Sequence, residues 1–481
     1  MNHPSRRDFI RTAVAAAAGL SLHGHPVFSA AVQKKRRPNI LLLFPDQHRF
    51  DFIGANRALP MRTPNLDELA RRGSCLTNAT CPSPLCAPSR ACLASGKDYD
   101  RCGVPDNKTG YPLDRSTFYR LLRESGYHVS GFGKFDLHKG FDTWGVDGRH
   151  LLSEWGFSSG MDSAGKWDAI SSYRRGNTPK DPYMFYLQQK SLVETHVTDY
   201  LKRQGRKELV AVFPTPLPEE AYCDNWIAAN ALKRMQQFPK DRPWFLMVSF
   251  AGPHNPWDIT TRMDGICRDR TFPPPNGNTE FPAERLQAVR QNYAAMVENI
   301  DRWLGLFIDG LKARNELDDT MIVWSSDHGE MLGDHNLWHK SVPYRPSVGV
   351  PFVAAGPGMR SGWSSPALVS TMDLAATFLD VACIPVPSDM DSRSLKSLLT
   401  GQTDSHREFV RSGLGQWRMV FDGRYKLIRG YAAPDETRDG VAGDGRNRGG
   451  LFLFDLDSDP MENENVAEKH PRIVDRLVRC L

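Results

Sequence analysis

Three long, largely apolar runs constrain the fold of this chain more than any other feature, because each run ends at residues that can bind a ligand. The runs and the polar residues that follow them are 38–44 with Asp46 and Gln47, 244–250 with His254, and 320–326 with Asp327 and His328. A run without polar alternation is typical of a strand buried on both faces of a parallel sheet. Open α/β sheets place their functional sites at the carboxyl ends of such strands. The strand ends therefore predict one polar site at one sheet edge.

The order of the elements predicts an α/β fold with a smaller antiparallel part at its end. Residues 285–311 lie between the second and third runs and carry apolar residues at helical spacing, which gives the alternation of an α/β sheet. Residues 150–200 lack a clear period, and we interpret the region of about 140–235 around them as an insertion over the sheet edge. Past residue 400 the pattern changes to short antiparallel strands and a final helix, predicted at 418–420, 425–428, 451–456 and 473–481. We predict a catalytic domain over 32–400 and a C-terminal subdomain over 401–481.

The composition excludes several classes of protein. Of the 481 residues, 40% are hydrophobic and 24% are charged, which excludes a disordered chain, a collagen-like fibre and a polytopic membrane protein. The formal charge of +5 is spread along the chain, whereas nucleic-acid binding needs a concentrated basic face, so we expect no nucleic-acid partner. The 9 cysteines are too few and too irregularly spaced for a disulfide scaffold or a zinc site.

The first residues are typical of an export signal. Ser5-Arg6-Arg7-Asp8-Phe9-Ile10 is a twin-arginine pattern, and the apolar run at 12–22 is shorter than the ~20 residues that an anchor needs. Ser29-Ala30-Ala31 offers small residues for a signal peptidase. We predict that residues 1–31 are a signal peptide, with the twin-arginine translocase as partner and a periplasmic or secreted location in a bacterium. The alternative is a basic N-terminus before an ordinary helix.

One segment, Cys86-Ala87-Pro88-Ser89-Arg90 followed by Gly96-Lys97, resembles the signature of the type I sulfatases. The resemblance extends over nearly all of the chain after the signal and implies an alkaline-phosphatase-like fold: a large, mixed, mainly parallel sheet between helices, with a small C-terminal antiparallel sheet and helix. In that family the cysteine is oxidised to formylglycine by a formylglycine-generating or sulfatase-maturing enzyme. The hydrated aldehyde attacks sulfur with one oxygen, and the other later expels sulfate. The alternative for Cys86 is a buried structural cysteine.

The resemblance also implies a divalent cation under the sulfate. Its ligands match five positions of this chain: Asp46, Gln47, Cys86, Asp327 and His328. Ca²⁺ is the usual ion of the family and takes mostly oxygen ligands. Gln47 departs from the commoner paired aspartates, and the imidazole of His328 also suits other metals, so Mg²⁺ and Mn²⁺ stay open. The alternative is that the aspartates cap loops at strand ends.

Further site residues follow from the resemblance. Arg90 would stabilise the modified side chain, and Lys134 in Gly133-Lys134 matches a lysine that bridges this side chain and a sulfate oxygen. His254 matches a histidine that contacts sulfate and protonates the leaving alcohol, a role that suits an imidazole. Lys340 matches a second sulfate-binding lysine, with His335 and His339 beside it.

One position of the family pattern is ambiguous in this chain. Relatives often carry a histidine two residues after the first lysine, where this sequence has Asp136, and His138 follows two residues later. We keep His138 as a candidate for proton transfer and leave open which of the two residues takes the histidine's role.

Together these residues predict a sulfuric ester hydrolase that acts on a sulfated polysaccharide or oligosaccharide. Aromatic residues that we considered as contacts for sugar rings are Trp144, Trp155, Trp167, Tyr173, Tyr183 and Phe185. Two alternatives stay open: a phosphonate monoester or phosphodiester hydrolase of the same superfamily, and a glycan-binding protein in which Cys86 is never modified.

Overall fold

The fold is described from a computed structural model, which covers residues 37–57, 59–142, 144–204, 209–432 and 450–481. The predicted signal peptide, residues 1–31, lies outside the described residues. Among the helices that are described, none is long and apolar enough to cross a membrane.

A sheet of eight strands forms the centre of the protein. Its strands in chain order are β1 Asn39–Asp46, β2 Ser74–Thr80, β3 His128–Gly133, β4 Ser159–Asp162, β5 Trp244–Pro253, β6 Thr320–Trp324, β7 Val353–Ala355 and β8 Trp363–Ser370. Across the sheet the order is β4-β3-β5-β1-β6-β7-β2-β8. Only β7 runs antiparallel to its two neighbours. The predicted mixed, mainly parallel sheet is therefore confirmed.

The three apolar runs of the sequence are neighbouring strands at the middle of this sheet. Leu43 of β1 lies opposite Val248 of β5 and Trp324 of β6, and all three side chains are buried. On β1, Ile40, Leu42 and Phe44 enter one apolar core and Leu41 and Leu43 enter the other. Because the three strands are parallel, their polar ends come together at one edge.

Helices cover both faces of the sheet. The described α-helices are α1 Pro64–Arg72, α2 Cys86–Ser95, α3 Tyr99–Cys102, α4 Phe118–Glu124, α5 Leu152–Trp155, α6 Trp167–Arg174, α7 Pro182–Gln189, α8 Val193–Arg203, α9 Cys223–Met235, α10 Thr261–Cys267, α11 Ala283–Ala313, α12 Arg345–Val348, α13 Asp373–Val381, α14 Lys396–Leu399 and α15 Pro471–Val478. Helices α2, α4 and α13 pack in the core that contains Ile40, and α1, α9 and the C-terminal half of α11 pack in the core that contains Leu41. The long α11 contains the helix predicted at 285–311.

The region 140–235 is more regular than its sequence suggests. It holds helices α5–α9 and strand β4, which pairs with β3 and forms one edge of the sheet. Most of the aromatic residues considered for sugar contacts are buried here, including Trp144, Trp155, Tyr173 and Tyr183. They are core residues of the helical region, so that interpretation is wrong for these four positions.

A second sheet follows in the C-terminal part. It consists of four antiparallel strands, β9 Val410–Leu414, β10 Trp417–Phe421, β11 Tyr425–Tyr431 and β12 Gly450–Asp455. The sequence predicted three of these strands and the final helix, which the structure places at Pro471–Val478. The small antiparallel sheet with its helix is thus confirmed, and the proposed boundary at residue 400 stays a prediction.

Candidate active site

Cys86 begins helix α2, and the whole of this helix is buried. Its Sγ lies 3.3 Å from His328 Nε2, 3.6 Å from Lys134 Nζ and 3.9 Å from Asp46 Oδ1. Burial and Asp46 raise the pKa of the thiol, but Lys134, Lys340 and His328 lower it more, so that the pKa of Cys86 falls to about 6. The cysteine therefore faces a cluster of positive charge, as a reactive cysteine does and an inert core cysteine does not.

Arg90 lies one helical turn after Cys86 and connects the ends of two strands. Its guanidinium donates to Asp327 Oδ2 at 2.9 Å and to Asp46 Oδ2 at 3.2 Å. It also donates to Ser249 Oγ at 2.7 Å and to the carbonyl of Lys134. The side chain is 2% exposed. Arg90 thus neutralises both buried carboxylates, which lie beside Cys86.

Lys134 follows β3 directly, and its ammonium group contacts Cys86. Its Nζ donates to Asp46 Oδ2 at 2.5 Å and also contacts Asp136 Oδ2 at 3.2 Å. Burial lowers the pKa of Lys134, but Asp136 and Asp46 raise it well above the ordinary lysine value. Lys134 therefore places a positive charge next to Cys86.

Four of the five predicted metal ligands form one compact group. The ligand atoms of Asp46, Cys86, Asp327 and His328 all lie within 4.8 Å of one another, and all four residues are buried. His328 Nδ1 donates to the carbonyl of Gly329 at 3.0 Å, so Nε2 is the ring nitrogen that faces Cys86. Two carboxylates and an imidazole lone pair, with the oxygen that would replace the Cys86 sulfur, fit a divalent cation.

Gln47, the fifth predicted ligand, is held by hydrogen bonds at both ends of its amide. Its Nε2 donates to Glu330 Oε2, and its Oε1 accepts from Lys340 Nζ. The same ammonium group lies 2.6 Å from His254 Nε2. The structure thus places Gln47 beside Lys340 and His254.

His254 is unprotonated in this arrangement. Its Nδ1 donates to the carbonyl of Asn255 at 2.7 Å, so its Nε2 accepts from Lys340. Burial and the neighbouring Lys340 hold the pKa of His254 well below 6.5. Lys340 Nζ is therefore the donor of this hydrogen bond, and His254 Nε2 is the acceptor.

Two predicted histidines lie apart from this cluster. His138 stacks on Phe141 with ring centroids 4.2 Å apart. His335 stacks on Tyr344 at 4.3 Å and lies 3.5 Å from the side-chain amide of Asn276. The structure brings neither side chain into the group around Cys86.

Asp136 stands where relatives carry the histidine, and it serves as a partner of two lysines. Its Oδ2 lies 3.2 Å from Lys134 Nζ and 3.1 Å from Lys139 Nζ, and Lys139 also contacts Asp168 at 2.6 Å. Burial raises the pKa of Asp136, but Lys134 and Lys139 lower it to about 2. Its backbone has a φ of 52°, which is uncommon for a residue with a side chain.

The sequence placed Glu330 only at the end of the matching segment 327–330 and His339 only beside Lys340, and it did not point to Asn255. Glu330 is fully buried and accepts the backbone N–H groups of Leu332 and His339. Asn255 Oδ1 accepts from His339 Nδ1 at 3.1 Å. The only signal for these residues was their position next to His328, His254 and Lys340.

The fold and this site define a class of protein: hydrolases of the alkaline-phosphatase-like superfamily, with an acidic and imidazole ligand set at the sheet edge. The solved structure of a phosphonate monoester hydrolase of Agrobacterium radiobacter is similar, with a TM-score of 0.71 at 21% identity, covering 92% of this chain and 94% of that chain.

The chain belongs to the sulfatase family, whose members hydrolyse sulfuric esters. The family model described as Sulfatase matches residues 38–384, and a model described as N-sulphoglucosamine sulphohydrolase, C-terminal, matches residues 333–479. The chain is 26% identical to an arylsulfatase of Clostridium perfringens, over 92% of this chain and 94% of the relative. It is 25% identical to an N-acetylglucosamine-6-O-sulfatase of Bacteroides thetaiotaomicron, over 91% of this chain and 84% of the relative.

Proposed function

We propose that this sulfatase hydrolyses sulfate esters with a formylglycine nucleophile made from Cys86. The observation that carries the proposal is the position of Cys86 Sγ, 3.6 Å from Lys134 Nζ and 3.3 Å from His328 Nε2, at the start of a buried helix. The nucleophile of a sulfuryl transfer needs such cations, because negative charge builds on the sulfuryl oxygens in the transition state.

Formylglycine requires oxidation of Cys86 before the helix is buried. The –CH₂SH side chain and one water become an aldehyde and H₂S, and two electrons and two protons pass to the oxidant that the maturing enzyme uses. Cys86 is 1% exposed in the folded protein, so the maturing enzyme must act on an extended chain. When hydrated, the aldehyde supplies two hydroxyl groups, one to attack sulfur and one to expel sulfate as the aldehyde re-forms.

The chain's own residues bind the sulfate group and deliver the proton. Lys134 lies on the Cys86 side and Lys340 on the His254 side, so both ammonium groups can neutralise sulfuryl oxygens. The leaving alcohol takes its proton from the pair formed by Lys340 and His254, since the imidazole alone is unprotonated at rest. Arg90 stays behind the two carboxylates and fixes their direction.

We propose Ca²⁺ as the metal, held by Asp46, Asp327 and His328 together with the modified residue 86. Carboxylate oxygens favour a hard cation, whereas the imidazole leaves Mg²⁺ and Mn²⁺ as the alternatives. When bound, the ion polarises the sulfate and lowers the pKa of the attacking hydroxyl group. Gln47 would be a further ligand if its amide oxygen, which accepts from Lys340, also faced the ion.

We propose a sulfated saccharide as the substrate. The relative from Bacteroides thetaiotaomicron is named for a sulfated amino sugar, and the C-terminal model is named for another. The test is an assay of sulfate release from a panel of oligosaccharides, each with one sulfate at a known position. The kcat/KM for each saccharide is compared with that for p-nitrophenyl sulfate. We expect kcat/KM on one saccharide to exceed that on the aryl ester by at least tenfold, and equal or lower values on every saccharide would contradict it.

A second candidate, a phosphonate monoester hydrolase, is favoured by the similarity to the solved enzyme of that class. The two functions separate in one assay, because p-nitrophenyl sulfate and p-nitrophenyl phenylphosphonate release the same chromophore. The proposal requires the larger kcat/KM for the sulfate. Phosphonate hydrolysis that is faster by orders of magnitude would replace the proposal with the second candidate.

We propose export through the twin-arginine translocase, after cytoplasmic modification of Cys86. This route carries folded proteins, and Cys86 is buried once α2 has packed, so modification must come first. In the Arg6→Lys, Arg7→Lys variant we expect modified, active protein in the cytoplasm. Unmodified Cys86 in that variant would show that modification follows translocation and would contradict the proposed order.

A further inference from the structure

Glu330 is a buried carboxylate that receives hydrogen bonds from two separate parts of the site. Its Oε1 accepts the backbone N–H of Leu332 at 3.0 Å and of His339 at 2.6 Å, and its Oε2 accepts from Gln47 Nε2. The residue has no exposed surface. Glu330 therefore joins the end of β1, which carries Gln47, to the loop that carries His339 and Lys340.

The bond to Glu330 decides which way the amide of Gln47 points. A carboxylate can only accept and an ammonium group can only donate. The amide of Gln47 lies between Glu330 and Lys340. Its NH₂ must therefore donate to the carboxylate, and its oxygen must accept from the ammonium group. The reverse orientation would place the NH₂ against an ammonium group and the oxygen against a carboxylate.

We propose that Glu330 is a positioning residue of the active site: it orients the amide oxygen of Gln47 toward the sulfate subsite and holds the loop that carries Lys340. The inference rests on the proposed function, in which Lys340 binds sulfuryl oxygens. It assigns a role to a residue that touches neither substrate nor Cys86. The inference does not depend on whether the Gln47 oxygen contacts only Lys340 or also the metal. In both cases Glu330 holds the NH₂ group at the other end of the amide.

The three donors around Glu330 make the near-isosteric Glu330→Gln change a sharp test. A glutamine must turn its NH₂ either toward the NH₂ of Gln47, where it opposes one donor, or toward the backbone N–H groups of Leu332 and His339, where it opposes two. In Gln47→Glu, two carboxylates face each other. In the double variant, the NH₂ of residue 330 donates to the new carboxylate at 47, which still accepts from Lys340. All contacts to residue 330 are restored, and only the 3.4 Å contact of Gln47 with Asn255 is lost.

We expect Glu330→Gln and Gln47→Glu each to lower kcat/KM by about 10- to 100-fold. The kcat/KM of the double variant should be at least about tenfold higher than that of the poorer single variant, because the two residues are in contact and their effects are coupled. Each rate is divided by the fraction of chains with the aldehyde at position 86, measured by peptide mass spectrometry. This correction removes any effect on maturation. The temperature of unfolding of each variant separates positioning from loss of fold.

Asp334→Asn is the matched control. Asp334 is another buried carboxylate of the same loop, and it pairs with Arg49 and Arg290 and not with Gln47. Combining it with Gln47→Glu should give no recovery. Recovery confined to the Glu330→Gln double variant supports the proposal.

Two results would overturn the proposal: a Glu330→Gln variant with unchanged kcat/KM, or a double variant whose losses multiply. Should Glu330→Gln fail to fold, the double variant is compared with Gln47→Glu alone, and a double that is no faster also overturns it. If the wild type prefers the phosphonate, all ratios are measured on that ester. The substrate preference of the wild type then tests the proposed function. The ratio of kcat/KM between the double variant and the poorer single variant tests the role of Glu330.

Discussion

Arg90 donates to Asp327 Oδ2 at 2.9 Å, although the two residues are separated by 237 positions in the sequence. Arg90 reaches the carboxylate because it lies one helical turn after Cys86, on the same face of α2. The same guanidinium contacts Asp46. The spacing of the Cys-x-Pro-Ser-Arg segment thus brings Cys86 and the guanidinium that contacts both Asp46 and Asp327 to one sheet edge.

Arg90→Ala should destabilise the protein strongly. The change leaves two buried carboxylates without their shared partner, and breaking a buried ion pair in this way costs about 3–5 kcal/mol in the free energy of unfolding. Arg418→Ala removes an exposed pair with Asp100 and should cost less than about 1 kcal/mol. Denaturant unfolding of both variants measures the difference, and equal losses would contradict the role given to Arg90.

Lys134→Ala should remove most of the activity with little change in KM. One lost donor to the transition state lowers kcat by about 10²- to 10³-fold. Lys139→Ala is the control, because its Nζ contacts Asp136 and Asp168; we expect less than a tenfold loss there. Steady-state kinetics on p-nitrophenyl sulfate compare the two, and a larger loss for Lys139→Ala would shift the sulfate-binding role to that residue.

Asp373, the first residue of α13, makes the stability of the protein depend on pH. Burial raises the pKa of Asp373, but Arg407 and His406 lower it from 3.8 to about 2. Because the folded-state pKa is the lower one, the stabilisation of about 2 kcal/mol is present above pH 4 and is lost as the pH falls toward 2. We expect Asp373→Asn to unfold more easily than wild type at pH 7, with the difference shrinking below pH 4. A difference that does not depend on pH would refute the assignment.

Chelation should abolish turnover without unfolding the protein. Arg90 and Lys134 already neutralise Asp46, so the carboxylates stay paired when the ion is removed. Added Ca²⁺ should restore activity and raise the temperature of unfolding, since an ion that binds only the folded state stabilises it.

Asp327→Asn tests whether Asp327 holds the metal ion. It should weaken Ca²⁺ binding at least about tenfold in calorimetry. Asp258→Asn, which affects a buried carboxylate paired with Lys166 outside the ligand group, should leave the affinity unchanged. Activity that survives chelation, or a Mn²⁺ affinity far above that for Ca²⁺, would contradict the proposed metal.

Much of the fold could be predicted from local patterns. The runs at 38–44, 244–250 and 320–326 contain buried strands because their residues are largely apolar and do not alternate with polar ones, and parallel pairing then brings the strand ends together. The helices of 140–235 could not be predicted, because their buried faces include polar residues such as Asp199 and Asp224 that obscure the helical period.

The site shows the same division between strand ends and loops. Residues at the carboxyl ends of strands, such as Asp46, or directly after them, such as Lys134, lie where parallel strands must place them. Loop residues do not follow such a rule: His138 and His335 turn toward Phe141 and Tyr344. Glu330 enters the site through hydrogen bonds to backbone groups and to Gln47, and no sequence spacing predicts such bonds.

Peptide mass spectrometry of residue 86 in active protein tests the central claim most directly. In protein from a host that contains a maturing enzyme, we expect the mass of an aldehyde at position 86, with sulfate-ester turnover proportional to the aldehyde fraction. Cys86→Ala should fold normally and be inactive. Full turnover by protein whose Cys86 carries an intact thiol would contradict the account.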